Sequence, residues 1–258
     1  MREMRTEPSD RWVRGYVGDE VVVDSKDALL FWEDRFPVPG YAFPRDDVRT
    51  DLLRPSDARS HVPFFGPKGP VSESYDVVVG DRVLEGAAWV RDDPAISDRI
   101  VLTWQPGVLD RWLEEDEEVF AHPRDPYKRV DAMPSSRHVQ VAIGGTVVAD
   151  SRSPVLLFET HLPTRYYLPR EDVRLDLLEP SGNRSDCPYK GHAEEYWSLP
   201  GVRDADNVAW SYADPVRAVA PITGRIAFYN ELVDLTVDGV PQARPESIFS
   251  KRGNRPVE

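Results

Sequence analysis

The sequence predicts a mainly β fold built twice: two tandem compact domains of antiparallel sheet with short helices. Three observations predict it. Residues 44–56 read PRDDVRTDLLRPS and residues 169–181 read PREDVRLDLLEPS, ten of thirteen positions identical at an offset of 125. The chain holds 24 prolines against 16 glycines, and proline breaks helix interiors and central strands, which favours short strands and turns. Short β-branched runs flank glycine turns at matching places in both halves.

The similarity extends in both directions in constant order. Gly18 and Asp24-Ser25 match Gly144 and Asp150-Ser151, and residues 62–66, Val-Pro-Phe-Phe-Gly, match residues 187–191, Cys-Pro-Tyr-Lys-Gly. Ala88-Trp89 matches Ala209-Trp210, Asp93-Pro94 matches Asp214-Pro215, and Ile96–Ile100 matches Ile222–Ile226. An ordered match of this length is duplication of a whole domain and not a short solenoid repeat. A chain of 258 residues accommodates two domains of roughly 100–130 residues each.

In chain order, Val17–Val23 and Val139–Val148 read as strands around a glycine turn, with Val139, Val141 and Ile143 alternating with Gln140 and Ala142. Tyr75–Val79 and Arg82–Leu84 flank Gly80-Asp81 in the same way. Asp46–Leu53 and Glu171–Leu178 predict helices of one to two turns, opened by proline and stopped by Pro55 and Pro180. Val108–Glu118 predicts another helix, with Leu109, Trp112 and Leu113 on one side and Glu114–Glu118 as a solvated acidic face. Residues 119–134 read as the linker, and Ile226–Tyr229 with Leu232–Val237 as a final strand pair ending at Asp238-Gly239. The domain limits are then 10–120 for the first repeat and 121–241 for the second, with 242–258 a loose polar tail.

Charge and composition exclude several classes. Residues 1–120 carry 15 basic and 26 acidic residues, a balance of −11, whereas 121–258 carry 17 and 19, a balance of −2. Such acidity disfavours nucleic acid and anionic membrane as partners, because both need clustered cations. No apolar run reaches the roughly 18–20 residues of a membrane helix, and the N-terminus, Met1 to Arg5, shows no signal-peptide pattern. The single cysteine, Cys187, excludes an internal disulfide and a multi-cysteine zinc site. A cytoplasmic location is the expectation; oligomeric state stays open.

Six ordered motifs identify a resemblance. Residues 126–131, Pro-Tyr-Lys-Arg-Val-Asp, residues 135–139, Ser-Ser-Arg-His-Val, and Arg165-Tyr166-Tyr167 lead the second copy. Residues 187–191, residues 209–212, Ala-Trp-Ser-Tyr, and residues 224–229, Gly-Arg-Ile-Ala-Phe-Tyr, complete it. Together they closely resemble the domain-of-unknown-function family 427 (DUF427), in its actinobacterial-type tandem form, over roughly residues 10–240. The resemblance implies compact, mostly antiparallel β domains, akin to the β-tent folds of the cereblon ligand-binding and methionine-sulfoxide-reductase-B type. It brings a putative-nucleotidyltransferase label but no established activity.

The first copy departs from the motifs: Val62 replaces Cys187, Phe65 replaces Lys190, Trp12 stands where His138 stands, Arg91 where Tyr212 stands, and Trp104 where Asn230 stands. These changes remove polar and titratable groups while framework prolines and glycines persist, so a site is expected in the second copy.

The candidate chemistry divides three ways. Arg129 and Arg137 could hold a carboxylate or phosphate through bidentate hydrogen bonds, with His138 adding a proton near neutral pH; alternatively both arginines pair with Asp131 or other acids and fix strand ends. Cys187 beside Lys190 could be an activated nucleophile, or a small buried apolar group, as Val62 suggests. Lys190 itself is either an anion-binding ammonium or an ordinary surface lysine. The aromatics of the second copy, Tyr166, Tyr167, Tyr189, Trp197, Trp210, Tyr212, Phe228 and Tyr229, must mostly be core. Trp89 pairs with Trp210, which favours core packing for both, whereas Tyr189 and Tyr212 have no tyrosine partner in the first copy and are better wall candidates.

Against nucleotidyl transfer, there is no Gly-Ser followed by a strand-borne Asp-x-Asp; Asp204-Ala-Asp206 lies in a turn-like stretch, 201–207. Phosphate-loop, dinucleotide and His-Glu-x-x-His patterns are missing, and only His138 and His192 adjoin motif residues, so neither cofactor nor metal is expected. The leading expectation is a small-molecule-binding module for an anionic or aromatic ligand. Its pocket lies in the second repeat and is formed by Arg129, Arg137, His138, Tyr189, Lys190, Trp210 and Tyr212. The alternatives are an enzyme using Cys187 or Lys190 with His138, nucleotidyl transfer included, and a structural or protein-interaction unit.

Overall fold

The computed structural model describes residues 4–34, 36–58 and 64–250. The chain divides into two compact units, Met1–Asp125 and Pro126–Glu258. Both are mainly β, and none of their helices is long and apolar enough to cross a membrane. The match between Val62 and Cys187, the N-terminal tripeptide and the last eight residues of the tail lie outside the described residues.

The first unit has a seven-stranded antiparallel sheet in the order Arg5–Pro8, Leu29–Trp32, Gly40–Pro44, Arg99–Leu102, Arg82–Arg91, Val71–Val79 and Leu53–Pro55. A four-stranded sheet follows the order Glu117–Glu118, Arg111–Glu114, Val13–Val17, Glu20–Ser25. The second unit repeats both. Val130–Pro134, Val155–Glu159 and Arg165–Tyr167 are joined through the Leu168↔Ile226 bridge to Ile226–Phe228, Ala209–Ser211, Glu195–Ser198 and Glu179–Ser181. Its other sheet runs Val240–Pro241, Asp234–Val237, Val139–Ile143, Thr146–Ser151. The second unit also holds a small hairpin, Ser185–Cys187 with Gly191–Ala193.

The equivalence reaches local irregularities. The register shifts between Gly15 and Tyr16 in one copy and between Val141 and Ala142 in the other. At Gly15 the close approach is explicit, because a Cβ there would lie 2.9 Å from both Leu109 and Trp112. Each unit buries its own core. Val13, Tyr41, Phe43, Ile100 and Trp112 are central in the first, and Val139, Leu168, Ile226 and Phe228 in one layer of the second. Each such side chain contributes roughly 1.5–3 kcal/mol on burial.

Several sequence expectations are corrected. The repeated proline-led segment is not a continuous helix but two single 3-10 turns, Arg45–Asp47 and Thr50–Leu52, matched by Arg170–Asp172 and Leu175–Leu177. The cause is the buried valine between them. Val48 and Val173 are extended and bridge to Val23 and Ala149, and a β-branched residue in that geometry interrupts helical bonding. Val108–Glu118 is not helical either. Arg111–Glu114 pairs with Val13–Val17 and turns back into Glu117–Glu118 at Glu115, whose φ is 53°. Glu114 is accordingly buried and bonded to Arg11 at 2.8 Å, not part of a solvated face.

The expected linker is largely structured. Val119 packs into the first core, and Val130–Pro134 pairs with Val155–Glu159. The expected final strand pair is split between two sheets, Ile226–Phe228 pairing with Ala209–Ser211 and Asp234–Val237 with Val139–Ile143. The first repeat starts before residue 10, because Arg5–Pro8 is its edge strand. The described part of the tail is docked: Phe249 lies 5.6 Å from the Tyr229 ring, and Ser247 bonds Glu231.

Candidate functional site

Strand direction sorts the candidate residues before any distance is measured. Successive side chains of a strand point to opposite faces. On Arg165–Tyr167, Arg165 and Tyr167 therefore share one face and Tyr166 takes the other. Tyr167 packs in one core layer of the second unit and Tyr166 against the other. Lys190 acts on Tyr167, whereas Arg137 acts on Tyr166. Arg137 and Lys190 thus lie on opposite sides of this strand, and the structure does not bring them together.

Lys190 sits in the turn of the small hairpin. Its amide bonds the carbonyl of Cys187 at 3.1 Å, and its own carbonyl accepts from Val216 at 3.0 Å. Gly191 completes the turn at φ 97°, with the Asp214 carbonyl 3.4 Å from where a Cβ would stand. This geometry sends the ammonium inward to Glu159, at the end of Val155–Glu159, with an Nζ–Oε2 separation of 2.5 Å. Lys128 reaches the other carboxylate oxygen at 3.3 Å. Two ammonium groups therefore share one buried carboxylate.

The electrostatics follow from that sharing. Burial opposes the Lys190 charge, but Cys187, Glu159 and Tyr167 outweigh it and hold its pKa above the ordinary lysine value. Burial likewise pushes Glu159 up, yet Lys190 and Lys128 pull its pKa below the usual carboxylate range. Tyr167, Tyr196, Tyr212 and Tyr229 surround the cluster, and burial raises all four phenols. The Tyr167 oxygen accepts from Trp210 Nε1 at 3.2 Å, and Tyr196 shares a 2.6 Å bond with Ser185. Tyr189 is half-buried beside Lys128, whose Nζ is 5.8 Å from its ring centre. Cys187 is a free, half-buried thiol in the same hairpin as Lys190.

A buried ion pair lies on the same face. Arg165 bonds both oxygens of Glu231, at 2.6 and 2.8 Å, and its guanidinium is 5.7 Å from the Trp210 ring and 5.4 Å from Tyr229. Lys128, Glu159, Arg165 and Glu231 were not among the residues expected from sequence. For Glu159 a signal existed: Glu33 stands at the corresponding place of the first copy and pairs there with Arg91 at 2.8 Å. An acid kept in both copies amid apolar strand residues marks an inward carboxylate.

The remaining candidates lie elsewhere. Arg129 is exposed, pairs with Asp131, and lines a surface groove with Phe158 and Glu159. His138 Nε2 bonds Asp150 at 2.7 Å, and its amide bonds Asp238 at 2.9 Å, on the sheet behind Tyr166. His192 pairs with Asp186 on the small hairpin. Asp204 and Asp206 are exposed in a turn, with Asp204 at φ 61°. Among the described residues no group of three or more His, Cys, Asp or Glu could hold a metal ion. The structure thus places Lys190 against Glu159 with Tyr212 near it, Tyr189 beside Lys128 and Trp210 bonded to Tyr167, leaves Arg129 at the rim, and separates Arg137 and His138.

Comparison with known proteins agrees with the internal repeat. The family model for a domain of unknown function, DUF427, labelled NTP_transf_9, matches the chain twice, over residues 5–104 and 131–239. No curated protein matches it.

Proposed function

We propose, for a chain that belongs to the DUF427 family through both of its repeats, that the second repeat is a small-molecule-binding module for an anionic or aromatic ligand. The observation that carries this reading is the sharing of Glu159 by Lys128 and Lys190. One carboxylate against two ammonium groups leaves a positive charge in a place where solvent screens poorly, and an anion is its natural complement. Lys128 is the more exposed of the two cations, so the ligand's acidic group enters on its side. Tyr189 beside it offers a ring face, with Trp210 and Tyr212 behind. The lone free thiol fits a reducing, cytoplasmic setting.

Benzoate is a suitable probe because it combines both features. Thermal unfolding of the full chain is measured with increasing sodium benzoate, against sodium chloride at equal ionic strength. The expected result is a benzoate-specific rise in Tm that is lost in Lys128→Gln and in Lys190→Gln. Equal rises in the parent and both variants overturn the reading.

A second reading rests on the placement of the free thiol of Cys187 in the same hairpin turn as Lys190, whose amide bonds the Cys187 carbonyl at 3.1 Å. In that reading Cys187 is a nucleophile. Iodoacetamide alkylation separates the two readings. A thiol that reacts rapidly at neutral pH, and slows in Lys190→Gln, supports the enzyme. One that reacts no faster than an ordinary thiol removes it.

A further inference from the structure

We propose that the first repeat carries a site of its own, an aromatic pocket that takes a single-ring phenol. It is independent of the binding reading for the second repeat and rests on different side chains. The pocket has a volume of about 60 Å³, and Phe31, Phe36, Phe64, Phe65, Trp89 and Trp104 form its walls. It occupies the place in the first repeat that the Glu159 cluster fills in the second, since Glu33, Phe65 and Trp89 stand where Glu159, Lys190 and Trp210 stand.

The second repeat shows what is missing. There Trp210 lies across from Ala227, and Tyr167 lies on the far side of Ala227, one residue along from the Leu168↔Ile226 bridge. The phenol of Tyr167 accepts the Trp210 indole N–H. In the first repeat Trp89 lies across from Val101, and Ala42 takes the place of Tyr167 on its far side. Without that phenol, the Trp89 Nε1 is buried with no hydrogen-bond partner among the described residues. Trp104 shares this state: its counterpart Asn230 donates to the Thr164 carbonyl at 2.7 Å, whereas the buried Trp104 Nε1 has no partner among the described residues. Both indoles are more than nine-tenths buried, and both line the one pocket.

Gly40 opens the space further. It replaces Arg165, whose guanidinium fills the corresponding region of the second repeat. The Phe31 ring lies over it, 2.4 Å from where a Cβ would stand, so the backbone must stay bare for the wall to form.

These features define the ligand. Buried indole donors without acceptors call for a ligand oxygen, because an unsatisfied buried donor is costly. Glu33 in the same wall offers an acceptor for a hydroxyl hydrogen. Cavities of about 150 Å³ enclose a whole benzene, so the smaller volume here seats the hydroxyl-bearing edge of one ring and leaves its other edge beside the exposed Phe64. A phenol thus restores from outside the bond that Tyr167 makes from within.

The test is a titration of the full chain, with indole ¹⁵N labels, using phenol and then toluene as probes. The Trp89 indole signal is assigned by its loss in Trp89→Phe. The expected result is a saturable shift of that signal with millimolar phenol, weaker binding of toluene, and phenol affinity reduced about fivefold to tenfold in Trp89→Phe. Should Trp89→Phe fail to fold, Trp104→Phe assigns the second pocket indole, and a saturable phenol shift of that signal decides. No saturable indole shift, a shift confined to Trp197 or Trp210, or equal affinities for phenol and toluene would each overturn the proposal.

Discussion

His138 occupies the post that Trp12 occupies in the first repeat. Trp12 donates Nε1 to Asp24 at 2.6 Å, and His138 Nε2 bonds Asp150 at 2.7 Å, twelve residues on in both copies. The surroundings correspond too: Lys26 lies 4.6 Å from the Trp12 ring centre, and Arg152 Nη2 is 3.4 Å from His138 Nδ1. Each ring nitrogen ties the start of one strand to its hairpin partner beside a cation. An indole meets that requirement as well as an imidazole, so the bond needs a ring N–H and not a titratable group.

His138→Trp is therefore expected to fold with stability within about 0.5 kcal/mol of the parent, because the half-buried site already accepts an indole in the first repeat, and to keep the full benzoate response. Urea unfolding and the thermal titration check the two halves. A folded variant without the response would return His138 to the binding site.

The same comparison shows what the sequence could and could not convey. The tandem organisation was legible because repeated identity at a fixed offset needs no knowledge of contacts. Hairpins at Gly18 and Gly144 were legible because positive φ at a turn favours glycine. The helix expected at Val108–Glu118 failed because Leu109 and Trp112 satisfy a helical spacing by chance, while the burial of Trp112 and Glu114 follows the strand period. At the site, Lys190, Tyr212 and Trp210 were legible as residues that differ or pair between copies. Arg137 was misplaced because the face of Arg165–Tyr167 that each neighbour meets is set by tertiary pairing. Glu159 and Glu231 were missed because a carboxylate at a strand end or in a turn reads as solvent-facing until its cation is located.

Two hydroxyls give a matched pair. Ser25 Oγ donates to Asp47 at 2.6 Å and accepts from Asp27, and Ser151 Oγ donates to Asp172 at 2.6 Å and accepts from Ser153. Both serines are buried, and loss of the hydroxyl leaves a half-buried carboxylate and a backbone donor without it. Ser25→Ala and Ser151→Ala should each cost about 1–3 kcal/mol, with similar values because the geometry is the same. Denaturant unfolding measures both. A cost in one copy and none in the other would contradict the equivalence.

The corresponding acids Glu33 and Glu159 should respond oppositely to pH. Glu159 is held below its ordinary pKa, so its stabilisation is present above the unfolded carboxylate value and is lost as pH falls through the folded one. Burial pushes Glu33 up, against the pull of Arg91. The folded chain then binds more protons than the unfolded chain just above the ordinary carboxylate range, and stability falls there as pH rises. Lys190, raised, stabilises below the unfolded lysine value and loses this as pH climbs through its folded value. The stability difference between parent and Glu159→Gln should therefore shrink on acidification below about pH 4. The difference between parent and Glu33→Gln should grow on acidification. Equal slopes would refute the assignment.

Arg165 and Glu231 offer the sharpest test of how the second repeat is held. Their side chains are 6% and 0% exposed, and Ser247 and Phe249 from the docked tail close over them. Removing one partner of such a pair leaves an uncompensated charge in the core, so Glu231→Gln should cost about 3–5 kcal/mol. The first repeat replaces the pair with Gly40 and Gln105, which shows that this architecture does not require the charges as such. A double variant, Arg165→Met with Glu231→Gln, should then recover much of the loss, because it removes both charges and keeps apolar volume among Trp210, Tyr229 and Phe249. Hydrogen exchange over residues 226–237 localises the effect to the second unit. If the double variant is as unstable as the single one, the pair's geometry matters beyond charge compensation, and the simple electrostatic account fails.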